Sequence, residues 1–236
     1  MKYHVGTSGF SYKEWKGKFY PTDIKPGDML SYYARHLSAV EINNTFYRMP
    51  RADLLKRWAQ AVQGDFRFVI KAPRRITHNK KLVEVDSEVE HLLKMVKSMK
   101  ERLGALLFQL PPWVQKDHQL LARFLQLVPA TVPVAIEFRH RSWQDEEIDA
   151  LLSERNVARV MADTEEKPLD ELKETADWGY VRLRRCDYDG PALGQWRERF
   201  EASRWQRAFV FFKHEDEAAG PKMATDFVEL GGSTTK

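Results

Sequence analysis

Eight short runs rich in β-branched and aromatic residues recur along the chain, at 3–5, 39–43, 66–72, 105–110, 132–138, 157–162, 180–183 and 208–212. Helical patterns lie between most of them, and this alternation restricts the fold more than any other feature. The clearest helix spans about 87–103, where Val89, Leu92, Leu93, Val96 and Met99 share a stripe, with Asp86 placed to cap its start and Gly104 to close its end. A second opens at Asp117 and carries Leu120, Leu121, Phe124, Leu125 and Val128 on one face before Pro129. Ser142 and Asp145 read as a capping box ahead of Ile148, Leu151 and Leu152, and Pro26 and Pro50 suit first helical turns. Weaker helical patterns follow near 168–176, 192–204 and 219–230.

Strand and helix alternating eight times in 236 residues predict an α/β chain closed into a single (β/α)8 TIM-like barrel. An open doubly wound sheet is the alternative, but no glycine-rich phosphate fingerprint follows the first strand. No linker or shift of composition marks a second domain. The barrel is expected over 1–230 and a disordered tail over 231–236.

Successive side chains on a strand point to opposite faces, so parity separates an inward set from an outward one. Val40 and Ile42 oppose Glu41 and Asn43; Phe68 and Ile70 oppose Val69 and Lys71; Leu106, Phe108 and Leu110 oppose Leu107 and Gln109. Further on, Val134, Ile136 and Phe138 oppose Glu137 and Arg139, and Met161 and Asp163 oppose Val160 and Ala162. Arg182 and Arg184 oppose Val181 and Leu183, and Lys213 falls on the Phe209 and Phe211 side. Each strand keeps one apolar parity, suited to packing under outer helices. The other parity ends in polar groups, which in a parallel barrel gather where active sites form. Lys71, Arg139, Arg182, Arg184 and Lys213 against Glu41, Glu137 and Asp163 make that cluster cationic, and arginine forks suit phosphate or carboxylate.

Composition adds mainly exclusions. A formal net charge of +4 is spread along the chain and decides nothing about partners. No apolar run reaches the length of a membrane span, so no membrane partner is expected. The N-terminal segment lacks the apolar core of a secretory signal, and a cytoplasmic location is expected. The single cysteine, Cys186, rules out an internal disulfide and a multi-cysteine metal site.

Five separated stretches, GTSGFSYKEWKGKFYP at 6–21, EINNTFYRMP at 41–50, FRFVIKAPRRITH at 66–78, LLFQLPP at 106–112 and AIEFRHRSW at 135–143, resemble the YecE-like family (domain of unknown function 72). The resemblance covers roughly the first 145 residues and implies a TIM-like barrel with no established activity. It marks Gly6, Ser8, Gly9, Tyr12 and Trp15; Glu41, Asn43, Thr45, Phe46 and Tyr47; Lys71, Thr77 and His78; Gln109 and Pro111; and Glu137, Arg139, Ser142 and Trp143. The family pattern closes strand seven with Arg-Leu-His-Gly and strand eight with consecutive asparagines. Here RLRRC stands at 182–186, and Lys213 is followed by His214, which adds positive charge.

The first functional reading is an enzyme for a phosphorylated or carboxylated small molecule. Arg139, Arg182 and Lys213 hold the anion, Glu41 or Glu137 acts as general base beside Lys71, and Ser8, Asn43, Thr45, His78, Gln109, Asp163 and Arg184 complete the site. Tyr12, Trp15, Phe46, Tyr47 and Trp143 would wall a ring, or else anchor loops in the core. A second reading takes Lys71, Arg74, Arg75, Lys80 and Lys81 as a basic loop for nucleic acid. A third takes Glu41, Glu137, Asp163, His78 and His214 as metal ligands for a hydrolase or isomerase, although no tight ligand motif is present. A Schiff base on Lys71 ranks below anion anchoring, because neighbouring carboxylates would keep the amine charged. Cofactor and oligomeric state are left open.

Overall fold

Eight parallel strands close on one another in sequence order in the computed structural model, which describes residues 1–48, 51–213 and 218–231. They are β1 (Lys2–Ser8), β2 (Ala39–Ile42), β3 (Arg67–Lys71), β4 (Leu103–Gln109), β5 (Val134–Glu137), β6 (Ala158–Asp163), β7 (Trp178–Leu183) and β8 (Arg207–Phe212). Closure is made by β1 on β8, in continuous register from Lys2 opposite Arg207 to Thr7 opposite Phe212. The outer ring holds α1 (Met29–Tyr33), α2 (Ala52–Gln60), α3 (Asp86–Val96), α4 (His118–Gln126), α5 (Glu146–Glu154), α6 (Gly190–Glu201) and α7 (Ala219–Glu229). No helix among the described residues is long and apolar enough to cross a membrane. Pro50, His214 and the tail beyond Gly231 lie outside the described residues.

Two apolar cores follow from strand parity. The outer one joins Val40, Ile42, Phe68, Ile70, Leu106 and Phe108 to the helices. The inner one fills the barrel, and its sizes are complementary: Ala39, Ala105, Ala135 and Ala158 leave room for Trp178, Tyr180, Phe209 and Phe211 from β7 and β8. Rings on one side of the bore thus lie against methyl groups on the other. His4, buried near the amino ends of the strands, stacks on Phe209 at 4.9 Å.

Helix starts depart from expectation in instructive ways. Asp117 accepts from the Leu120 amide at 2.9 Å, as its position predicts. Asp145, not Ser142, caps α5 by accepting from the Glu147 amide. Asp86 does not cap α3, because Val85 occupies the cap position and Asp86 is already helical. Gly104 belongs to β4 and does not close the preceding helix. Lys100, at φ 49°, breaks that helix earlier. No helix forms over 168–176. The segment is irregular, its backbone held by side-chain acceptors on β6: the Leu169 amide donates to Asp163 Oδ1 at 2.8 Å, while Arg199 of α6 donates to the Leu169 and Asp170 carbonyls. Leu169 and Leu172 still pack on the outer core, so their apolar spacing reflects burial and not helicity.

Gly6 is where two backbones approach most closely. A Cβ there would lie 1.8 Å from the Ala39 carbonyl oxygen and 2.8 Å from the Tyr33 hydroxyl. That hydroxyl joins the two strands, taking the Thr7 amide at 2.8 Å and donating to the Ala39 carbonyl at 2.9 Å. Gly6→Ala is therefore expected to lower unfolding stability by about 3 kcal/mol or more. Gly27→Ala, where a Cβ meets nothing within 4 Å, should change it by less than about 1 kcal/mol, both read from urea denaturation.

Candidate functional site

At the carboxyl ends of the strands the inner parity turns from apolar to ionic. Arg182 is the centre: it is 1% exposed and lies one inward position above Tyr180 on β7. Its Nε and Nη2 reach Glu41 Oε2 at 2.9 and 2.7 Å, and Nη1 donates to Glu137 Oε2. One guanidinium thus bridges carboxylates carried by β2 and β5, across the bore.

Glu41 is saturated with donors. Ser8 Oγ and Asn43 Nδ2 donate to Oε1 at 3.0 and 2.7 Å, and the Tyr180 hydroxyl donates to Oε2 alongside Arg182. Burial acts to raise its pKa, but Arg182, Tyr180 and Asn43 outweigh it and hold the carboxyl below its ordinary value. Glu137 behaves alike: burial opposes ionisation, yet Arg182, Arg139 and Gln109 bring it down to about 2. Arg139 Nε donates to Glu137 Oε1 at 3.1 Å, and Gln109 Nε2 donates to Oε2 at 2.5 Å.

Lys71 has a different kind of partner. Its Nζ donates at 2.9 Å to the neutral Gln109 amide oxygen and lies 4.5 Å from the centre of the Phe46 ring. Burial first, and Arg182 next, lower its pKa to about 8, against weaker pulls from Glu137 and Glu41. The Phe46 ring continues into an aromatic chain, edge-on to Tyr47 at 5.1 Å and His78 at 4.7 Å, with Trp113 beyond His78 at 5.9 Å. Tyr47 is 76% and Trp113 62% exposed, which is unusual for such large rings. Burial and the Lys71 charge lower the His78 pKa.

Arg184 is half-buried and, among the described residues, its guanidinium forms no hydrogen bond or ion pair. Burial, then the Arg182 charge, pull its pKa below the usual arginine value, with Glu137 and Glu41 acting in the opposite direction. Lys213 is exposed at the end of β8 and joins none of these bonds.

Ser8, Glu41, Asn43, Lys71, Gln109, Glu137, Arg139 and Arg182 are therefore one connected network, with Arg184 beside it. Other expected site residues do different work. Asp163 faces outward: its neighbour Val160 belongs to the inner core and Met161 to the outer, and its carboxylate takes Leu169 N and, at 2.5 Å, the Tyr188 hydroxyl. Trp15 is fully buried among Tyr12, Phe19 and Tyr20, and Trp143 stacks on Phe138 at 4.6 Å while donating to the Val114 carbonyl, so both are core anchors and not ring walls. Thr45 ties β2 to β3 by donating to the Ile42 and Lys71 carbonyls. Tyr12 closes the first loop by donating to the Ser8 carbonyl at 2.6 Å.

The basic loop offers less free charge than its sequence suggests, because Arg75 and Lys80 both pair with Glu88 at 2.6 and 3.1 Å. For a metal, no group of three His, Cys, Asp or Glu side chains among the described residues comes together, and Arg182 occupies the space between the two inward carboxylates. Tyr180 was not expected in the site. Its place two residues before Arg182, on the inward parity, is the signal that locates it. Beside the mouth, a cleft of about 690 Å³ runs between the loop after β1 and α2, lined by Phe10, Tyr12, Leu30, Asn43 and Trp58 among others. Asn43 belongs to both cleft and network.

The family described as "Protein of unknown function DUF72" matches residues 4–236. The UPF0759 protein YecE of Escherichia coli (strain K12) is 30% identical over 168 residues, 68% of this chain and 59% of that protein. The UPF0759 protein YunF of Bacillus subtilis (strain 168) is 27% identical over 148 residues, 59% of this chain and 51% of its own. The chain thus aligns with between half and three fifths of the length of these relatives. Among solved structures, a DUF72 family protein of Thermotoga maritima MSB8 superposes with a TM-score of 0.79 at 25% identity, covering 99% of this chain and 100% of that one. One from Enterococcus faecalis V583 gives 0.76 at 18%, covering 99% and 98%. The chain belongs to the DUF72 family, whose barrel it shares from the first strand to the last helix.

Proposed function

We propose that the barrel mouth is the site of an enzyme that binds and acts on a small phosphorylated or carboxylated molecule. The observation that carries this reading is Arg184, a half-buried guanidinium at the mouth with no hydrogen-bonded or ion-paired anion among the described residues. Around it, Lys71, Arg139, Arg182 and Arg184 stand against Glu41 and Glu137, and both carboxylates are already engaged by Arg182. The cluster keeps a positive excess that an incoming anion would neutralise. Arg139, 40% exposed and bound to Glu137 through Nε, is placed to share that anion. Tyr12 and Trp58 in the adjoining cleft offer a wall for the uncharged remainder. Glu41 and Glu137, ionised and hydrogen-bonded, are poor general bases and act by positioning Arg182 and Asn43.

Inorganic phosphate, pyrophosphate and citrate are expected to raise the melting temperature, and Arg184→Met to weaken the tightest of them by tenfold or more without loss of fold. A flat thermal-shift response to all three anions would refute the assignment.

The carboxylates also make a pH prediction. A carboxyl whose folded pKa lies below its unfolded value contributes stability above the unfolded value and loses it as pH falls through the folded one. Since Glu137 falls to about 2, stability should decline from about pH 4.5 downward, by roughly 2–3 kcal/mol for this group, in urea titrations at stepped pH. Arg182→Met should cost about 3–5 kcal/mol at pH 7 by stranding two buried carboxylates, and should flatten that acid slope.

A further inference from the structure

We infer that Lys71 is the nucleophile of this site, forming an imine with an anionic aldehyde or oxo acid. The inference rests on the proposed anion site only for the charge of the substrate. Its geometric basis is the allotment of partners. A lysine at a barrel mouth is ordinarily kept as an ammonium by a carboxylate, but here Glu41 and Glu137 are occupied by Arg182, Arg139, Tyr180, Ser8 and Asn43. Among the described residues, Lys71 Nζ hydrogen-bonds the Gln109 amide oxygen alone, and its other face lies on the Phe46 ring.

Among the described residues, the leading charged and titratable groups around it come from four elements, with Arg184 beside them at the end of β7. Glu41 comes from β2, Glu137 and Arg139 from β5, Arg182 from β7, and His78 from the turn after β3. Burial and the arginines favour the uncharged amine, and the two carboxylates oppose them. An apolar wall combined with neighbouring cations is the environment that makes a lysine nucleophilic near neutral pH. With a pKa of about 8, roughly a tenth of Lys71 is uncharged at pH 7, against well under one part in a thousand for an ordinary surface lysine.

The step balances without a further reagent. The Nζ lone pair attacks the carbonyl carbon, and a proton passes from nitrogen to the former carbonyl oxygen. The resulting carbinolamine then takes one proton from solvent and expels water, leaving a protonated imine. Arg184, beside the network and unpaired among the described residues, supplies the counter-charge for the carboxylate or phosphate of the same molecule.

Trapping with sodium cyanoborohydride tests this on the intact chain, with glyoxylate as the anionic probe and glycolaldehyde as a neutral one of similar size. Peptide mass spectrometry should find Lys71 alkylated by glyoxylate at least tenfold faster than the other lysines, with the rate rising as pH approaches 8. Arg184→Met should remove the preference for glyoxylate, read as the ratio of glyoxylate to glycolaldehyde labelling at Lys71 within each protein. Fast labelling of Lys71 by both probes alike, in wild type and variant, would uphold the nucleophile and refute the anion reading. Labelling no faster than at surface lysines, while phosphate still stabilises the wild type through Arg184, would overturn the nucleophile and leave the anion reading standing.

Discussion

The bridge from Glu41 through Arg182 to Glu137 is the interaction on which the upper half of this barrel depends. Two carboxylates and a guanidinium are all nearly or fully excluded from solvent, and the cost of desolvating them exceeds what any single ion pair returns. The arrangement is tolerable because every strong donor and acceptor is used. Tyr180, Ser8 and Asn43 complete Glu41, while Gln109 and Arg139 complete Glu137. A well-packed apolar plug of similar volume would hold the barrel together as well or better, so stability alone does not explain the choice. What the ionic plug does is fix the geometry of the mouth. Strands β2, β5 and β7 are not all neighbours in the sheet, and Arg182 locks their ends together.

The barrel was readable because its signals are redundant. Eight runs of the right composition, alternating with helical patterns, point to the same closed sheet, and an error of one or two residues at a strand end changes nothing. The inward cluster was readable for the same reason, except where the assignment rested on one strand. On β6 both parities end in small or mixed side chains, with Ala162 on one and Asp163 on the other. Its charge points to the mouth, but Asp163 serves the irregular segment that follows. Its partners, the Leu169 amide and the Tyr188 hydroxyl, come from the two loops flanking β7, and no pattern within β6 announces them. Trp15 and Trp143 show the complementary difficulty. A loop tryptophan reads alike whether it meets a ligand or a core, and the deciding contacts, with Phe19, Tyr20 and Phe138, are tertiary. The missing helix over 168–176 has the same origin, since apolar spacing records burial and hydrogen bonding alone decides conformation.

Within the mouth, the network separates groups that are spent from groups that are available. Arg182, Glu41 and Glu137 are mutually satisfied and buried. Lys71, Arg139 and Arg184 stand at the edge of that arrangement, each with less opposing charge than it could accept. A chain using its carboxylates as bases would leave at least one of them short of donors, and none is. Residue identity alone pointed to Glu41 and Glu137 as the reactive pair, whereas the distribution of hydrogen bonds points to the cations.

Arg184 also marks where this chain leaves the pattern that its resemblance to the family implies, which places histidine after Arg-Leu on strand seven. Arginine keeps its charge even when burial and a neighbouring guanidinium work against it, because its ordinary pKa lies so far above neutrality. Arg184 is therefore a permanent charge, next to carboxylates that Arg182 already neutralises. A permanent cation that no described residue pairs with is costly to keep half-buried unless something arrives to meet it. That cost is the physical basis of the proposed reading of the mouth as a receptor for anions, and of the proposal that places the chemistry on Lys71, whose pKa burial and Arg182 lower.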